Sequence, residues 1–353
     1  MIRKTRSIRL LLLLFVLLYM VACSKKSIND TVPPVVIQAP PAIGFAVVGY
    51  FPYYRNVAAV PDQHFRMYNV VNYAFFSVTA SGGLQERNPA VFNALYTKAK
   101  AQGTKVFVAI DDGAGDGSTN FKLMAATPAG RNSFIKEVML KVRTYKLDGV
   151  DIDWEFPRTS DGSDITFTAF MKELADSLHR DAKYYLTAAI TPGKYPGAVR
   201  DAIKSELFSY VDWFNVMIYD DFSTTAPYRQ HSDYALAQTS INYWIGNRGM
   251  PPAKFVLGMP AYGRPSGITQ TNTVLTYNAI LAQGADHFSD SAIVTAGGFT
   301  NYTIYFNGQQ TIKRKAMLAK LSAGGIMFWE QGQDATDHRS LIKAACDTLG
   351  RVY

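Results

Sequence analysis

Residues 148–157 read Asp-Gly-Val-Asp-Ile-Asp-Trp-Glu-Phe-Pro, which places carboxylates at Asp151, Asp153 and Glu155 with Ile152 and Trp154 between them. Side chains of a strand alternate between its faces, so the three acids project the same way, about 6.6 Å from one to the next. Charges lined up on one wall of a covered strand are costly unless they share protons or serve a reaction. Alternation alone would also fit a solvated edge strand, with polar residues out and apolar residues in. The context favours chemistry. Lys146-Leu147-Asp148-Gly149-Val150 leads out of a helical pattern and Pro157 ends the run, so the segment reads as helix exit, short strand and stop. Acids at the C-terminal end of a strand in a repeating β/α pattern are where barrel enzymes keep their reactive groups.

Outward from this strand, apolar runs alternate with helical patterns along the chain. The runs are 45–53, 70–78, 105–110, 149–156, 185–190, 213–219, 255–260 and 325–329. Eight of them, nearly continuous in hydrophobicity, suit parallel strands covered on both faces, and the count matches a (β/α)8 barrel. Residues 91–102, 131–145, 167–180, 236–245 and 312–321 carry apolar side chains at three- and four-residue spacing, as amphipathic helices do. The fold class is therefore α/β, a (β/α)8 TIM barrel over 44–353. The stretch from Arg264 to Gly324 exceeds one helix, and its portion 292–306 is rich in Thr, Ile, Tyr and Phe. A small α+β insertion over 265–311 is expected there.

The N-terminus has a different character. Arg3, Lys4, Arg6 and Arg9 precede an apolar run from Leu10 to Ala22, too short to span a bilayer comfortably, so 1–22 reads as an export signal. The run ends Met20-Val21-Ala22-Cys23, which resembles the bacterial lipoprotein cleavage box, with Cys23 as the lipidated residue. Residues 23–43, with Pro33, Pro34, Pro40 and Pro41, read as an extended tether. The expected location is the cell envelope, lipid-anchored at the outer membrane or cell surface, with the membrane touched through the anchor only. Loss of the leader's four basic residues would halve the formal charge of +8. No Lys/Arg cluster stands out in the sequence, so no nucleic-acid partner is implied. With Cys23 lipidated, Cys346 has no partner for a disulfide, and a large core must stabilise the fold. No ligand spacing for a metal occurs among the five histidines.

The catalytic-strand motif resembles that of the family 18 glycoside hydrolases, the chitinase-like barrels. Further stretches resemble other strands of that family: Gly49-Tyr50-Phe51 the first, Asn72-Tyr73-Ala74-Phe75 the second, Met217-Ile218-Tyr219-Asp220 the sixth, 258–264 the seventh and 324–330 the eighth. The resemblance implies that Glu155 protonates the glycosidic oxygen and later activates water. It implies that Asp153 orients the substrate's own acetamide, which replaces a protein nucleophile. Asp151 would share a proton with Asp153 and keep Glu155 protonated near neutral pH. Tyr219 would donate to the acetamide oxygen, with Asp220 and Met217 in the same subsite. Trp329 would form an aromatic floor, and Tyr262 and Arg264 a substrate-lining pair, although the arginine could equally be an ion-pair partner. Tyr50 would brace the inner aspartates.

One stretch departs from the pattern. The family carries Ser-x-Gly-Gly at the end of its third strand, whereas this chain has Ala109-Ile110-Asp111-Asp112-Gly113. Ala109 cannot donate the hydrogen bond assigned to that serine. The activity implied is retaining cleavage of β-1,4-linked N-acetylglucosamine polymers, chitin or its oligosaccharides, by a monomer without cofactor. An endo-β-N-acetylglucosaminidase acting on N-glycans or peptidoglycan is a second expectation within the same chemistry. A sugar-binding lectin on the same barrel is a third.

Overall fold

The computed structural model describes residues 37–353 apart from 182 and 269. The expected signal peptide, Cys23 and the tether up to residue 36 lie outside the described residues.

Eight parallel strands close into a barrel: β1 (Ala46–Pro52), β2 (Val70–Val78), β3 (Lys105–Asp112), β4 (Gly149–Ile152), β5 (Tyr185–Ile190), β6 (Trp213–Val216), β7 (Phe255–Pro260) and β8 (Gly325–Trp329). Each pairs with its neighbours in chain order, β8 pairs with β1, and the β1–β2 ladder completes the ring. Helices at Pro89–Ala101, Pro128–Thr144, Ser163–Leu178, Tyr234–Ile241 and Gln309–Ser322 return the chain between strands. The fourth continues into a π-helical turn at Asn242–Asn247. Three of these helices begin where a side chain accepts from an orphan amide: Asn88 from Val91 N at 3.4 Å, Thr127 from Gly130 N at 3.1 Å and Asp233 from Leu236 N at 2.6 Å.

Alternation in the strands divides the apolar residues into two cores. Val48, Ala74, Phe107, Tyr185, Trp213 and Met327 fill the lumen. Val47, Val71, Val108, Val150, Ile152 and Trp154 point outward into the larger core beneath the helices. The β4 motif is therefore anchored on its outer face by three buried apolar side chains and lined on its inner face by acids. Its ladder ends at Ile152, not at 156, so Asp153 and Glu155 stand past the last strand pairing. Strand β6 likewise ends at Val216, leaving Tyr219 and Asp220 on the loop above it. Strands diverge at the mouth of a barrel, and pairing stops before the apolar pattern does.

Between β7 and β8 lies a four-stranded antiparallel sheet, in the order Leu275–Thr276, Tyr262–Pro265, Phe299–Tyr305, Ser291–Ala296, with a short helix at Tyr277–Ala282. Its first strand starts at Tyr262, so the sheet takes up the catalytic-face segment after β7 itself. At the opposite end, the last residues assigned to the tether are pinned to the barrel: Gln38 N donates to His179 O at 3.0 Å and Tyr185 OH to Pro41 O at 2.7 Å. Cys346 is buried and free. Among the described residues no helix is long and apolar enough to cross a membrane.

The C-terminal helix Leu341–Leu349 is fixed by a buried acid. Asp334 accepts from Ala335 N and Leu341 N at 2.8 Å, from Ile342 N at 3.0 Å and from Ser340 Oγ at 2.8 Å. Truncating it strands several buried donors at once. Asp334→Ala is expected to lower the unfolding free energy by about 3 kcal/mol, read as a fall in the urea midpoint at unchanged slope.

Candidate active site

The inner faces of the strands build the site in levels. Ala109, Asp151 and Thr187 lie side by side on β3, β4 and β5. Asp151 is fully buried and accepts from Tyr50 OH at 2.6 Å, Thr187 Oγ1 at 2.5 Å and Asn215 Nδ2 at 3.0 Å. Thr187 thus supplies from β5 the hydroxyl that Ala109 lacks on β3. Burial raises the Asp151 pKa, and these three donors oppose the rise. Three donors thus occupy the inner carboxylate, from β1, β5 and β6.

Asp153, one level nearer the mouth, is 6% exposed, and its Oδ1 has no hydrogen-bond partner among the described residues. Burial first, then the charges of Glu155, Asp151 and Asp111, push its pKa well above the carboxylate range. Glu155 follows at the rim. Its side chain stays open to the cleft, yet protein crowds it on most sides. That desolvation, with Asp220 and Asp111 nearby, lifts its pKa to about 7.

A loop from β3 holds the backbone of Glu155. Its N–H donates to Gly117 O at 3.0 Å, and Trp154 Nε1 donates to Ser118 Oγ at 2.9 Å. Gly117 has φ +75°, and a Cβ there would sit 2.2 Å from Glu155 O, so the close approach requires glycine. Asp112 shapes this loop by accepting from Ala114 N and Phe121 N, both at 2.8 Å. That is a structural reason for one of the two acids replacing Gly-Gly. Asp111 accepts from Ser77 Oγ at 2.5 Å and stands 3.8 Å from Arg87 Nη2.

Across the mouth, Asp220 adopts a left-handed backbone with φ 65°. It accepts from Tyr262 OH at 2.5 Å and, in a two-pronged pair, from Arg264 Nε at 2.7 Å and Nη2 at 2.6 Å. Burial would raise its pKa, but Arg264 and Tyr262 hold the carboxyl well below its usual range. The ion-pair role for Arg264 is therefore the one observed. Asp220 N donates to His231 Nδ1 at 3.2 Å, which leaves Nε2 as the donor toward Tyr262 O at 3.3 Å. Trp329 forms the floor, stacked on Phe75 at 5.8 Å between centroids and tilted against Tyr50 at 5.5 Å.

Tyr50, Asp153, Glu155, Met217, Tyr219, Asp220, Tyr262 and Trp329 line one cleft of about 220 Å³, together with Ala189. Asp151 lies beneath it. Arg264 lines an adjoining groove of about 340 Å³ that shares Asp220, Tyr262 and Trp329. Sequence reasoning missed Thr187, Asn215, Ala189 and His231. The first three occupy inward positions of β5 and β6, so strand alternation could have found them. His231 sits in a loop without a periodic signal. Among the described residues no cluster of His, Cys, Asp and Glu is arranged to hold a metal.

An acid-lined cleft over the C-terminal end of a parallel (β/α)8 barrel, with an aromatic floor, defines a barrel enzyme of the glycosidase type. The chain belongs to the glycosyl hydrolases family 18, whose model matches residues 46–334. It is similar to endochitinase 1 of Metarhizium robertsii, 26% identical over 66% of this chain, and it spans 63% of that relative's length. It also resembles the crystal structure of a chitinase from the chitin utilization locus of Flavobacterium johnsoniae, with 25% identity and TM-score 0.70, over 86% of this chain and 94% of the other. A chitinase-like agglutinin from Robinia pseudoacacia shares the fold at 21% identity and TM-score 0.71, over 85% of this chain and 98% of the other.

Proposed function

We infer that the protein is a retaining hydrolase of β-1,4-linked N-acetylglucosamine polymers, chitin or its oligosaccharides, acting by substrate assistance. Glu155, protonated near neutral pH, gives its proton to the glycosidic oxygen as the C1–O bond breaks. The carbonyl oxygen of the substrate's 2-acetamido group closes on C1, and Asp153 takes the acetamide N–H. Water then adds to C1 as the bond from C1 to the acetamide oxygen breaks, and the Glu155 carboxylate receives the water's proton. Tyr219 donates to the acetamide oxygen, and the sugar stacks on Trp329. Asp151, held by its three donors, fixes the inner end of the acid row.

The observation that carries this reading is Asp153, which lines the cleft beside Glu155 and whose buried Oδ1 has no partner among the described residues. A buried acceptor without a donor costs on the order of 1–3 kcal/mol, which a bound acetamide N–H would recover. The test is product release from chitotetraose beside a high-mannose glycopeptide and a peptidoglycan fragment. Release from chitotetraose supports the reading. Release from either of the others alone moves the substrate to that glycan, and binding without release makes the protein a lectin.

For the leader, a lipid-anchored place in the cell envelope is proposed. Cys23→Ser should move the chain from the membrane to the soluble fraction. An unchanged distribution would count against lipidation there.

A further inference from the structure

The end of the barrel away from the cleft carries a different charge. Arg66, Lys105, Lys183 and Arg351 line a hollow of about 730 Å³ at the N-terminal ends of the strands, and no acid lines it. Lys183 also borders a second hollow of about 630 Å³, with Lys146 and Arg143. Arg143 continues into a third, of about 510 Å³, beside the 60% exposed Leu140. The three hollows thus join into one basic strip with an apolar side chain at its end.

None of these six cations forms an ion pair among the described residues. Two acids near this face are engaged elsewhere: Asp148 with Lys100 at 2.5 Å and Val106 N at 2.7 Å, Asp212 with His179 at 3.1 Å and Leu186 N at 2.7 Å. Helix dipoles explain part of the pattern, because Arg66 and Arg143 fall in last helical turns. Lys105, Lys146, Lys183 and Arg351 lie outside any helix, so the dipole accounts for none of them. Cations without an ion pair among the described residues, with an exposed leucine beyond them, have the composition of a surface that meets an anionic membrane.

We propose that this end of the barrel docks on an anionic phospholipid bilayer, so that the cleft at the other end faces away from the membrane. The described chain reaches the same face through Pro40–Ile43, which line the first hollow. The leader and Cys23 precede that point in sequence, so an anchor there would act together with the strip. The proposal stands apart from the choice of glycan substrate.

The test is sedimentation of the full chain with vesicles of phosphatidylcholine, alone or mixed with phosphatidylglycerol. Each basic residue near an anionic surface contributes roughly fivefold in binding, so the mixed vesicles should be preferred by at least tenfold at low salt. The preference should shrink as ionic strength rises. Lys146→Glu with Lys183→Glu, both exposed, should reduce it by tenfold or more at an unchanged thermal midpoint. Should the reversal unfold the chain, Lys146→Gln with Lys183→Gln gives the same reading through a smaller loss. Equal binding to both vesicles overturns the proposal. So does a preference that survives these substitutions, since the leader's own cations would then account for it.

Discussion

Glu155→Gln is expected to lower kcat for chitotetraose by about 10³-fold, within the range general acid catalysis supplies, with KM nearly unchanged. The amide keeps the shape of the acid and loses the proton that the leaving oxygen needs. The wild type should show its own signature in pH. With Glu155 raised from the ordinary 4.5 to about 7, the acid form prevails below neutrality, and kcat/KM should fall tenfold per unit above it. Linkage gives a second reading of the same variant. Between pH 4.5 and 7 the folded protein holds a proton that the unfolded chain releases, so stability falls as pH rises through that window. Glu155→Gln removes this loss, and its melting temperature should exceed that of the wild type at pH 8. A variant that keeps its activity, or a limb that does not move, would remove Glu155 from the acid role.

Cello-oligosaccharides, with the same linkage and no 2-acetamido group, are expected to be cleaved at least about 10⁵-fold more slowly than chitooligosaccharides. An internal nucleophile held against C1 has an effective molarity of about 10⁵ M or more, and all of that is lost with the acetamide. Asp153 cannot substitute without cost, because burial and the neighbouring acids disfavour its ionised form. Initial rates on length-matched oligomers decide the matter. Comparable rates, together with a glycosyl adduct on Asp153 found by mass spectrometry, would show a protein nucleophile instead.

Much of this site is legible in ten residues of sequence, because a strand of period two states which way Asp151, Asp153 and Glu155 must face. The barrel is legible for a related reason: strands covered on both sides leave uninterrupted apolar runs, and eight can be counted. The ends of β4 and β6 are not, since apolar pattern reports burial and strand pairing reports geometry, and the two part company at the mouth. Thr187 and Asn215 escaped notice as single polar residues in apolar runs, where only the position of Asp151 gives them meaning. Asp112 is a loop-shaping acceptor, a role that depends on where the amides of Ala114 and Phe121 fall. Arg264 was open between sugar and carboxylate until Asp220 appeared in its reach.

That last pair ties two parts of the molecule together. Arg264 belongs to the antiparallel sheet after β7, in register with Tyr305, whereas Asp220 belongs to the loop above β6. A lineage that exchanges this sheet to remodel the cleft must preserve a guanidinium at that one register position or release Asp220 and Tyr262 together. Diversification of the wall is thereby channelled toward its far strands, Ser291–Ala296 above all, where sequence can drift without disturbing the acids.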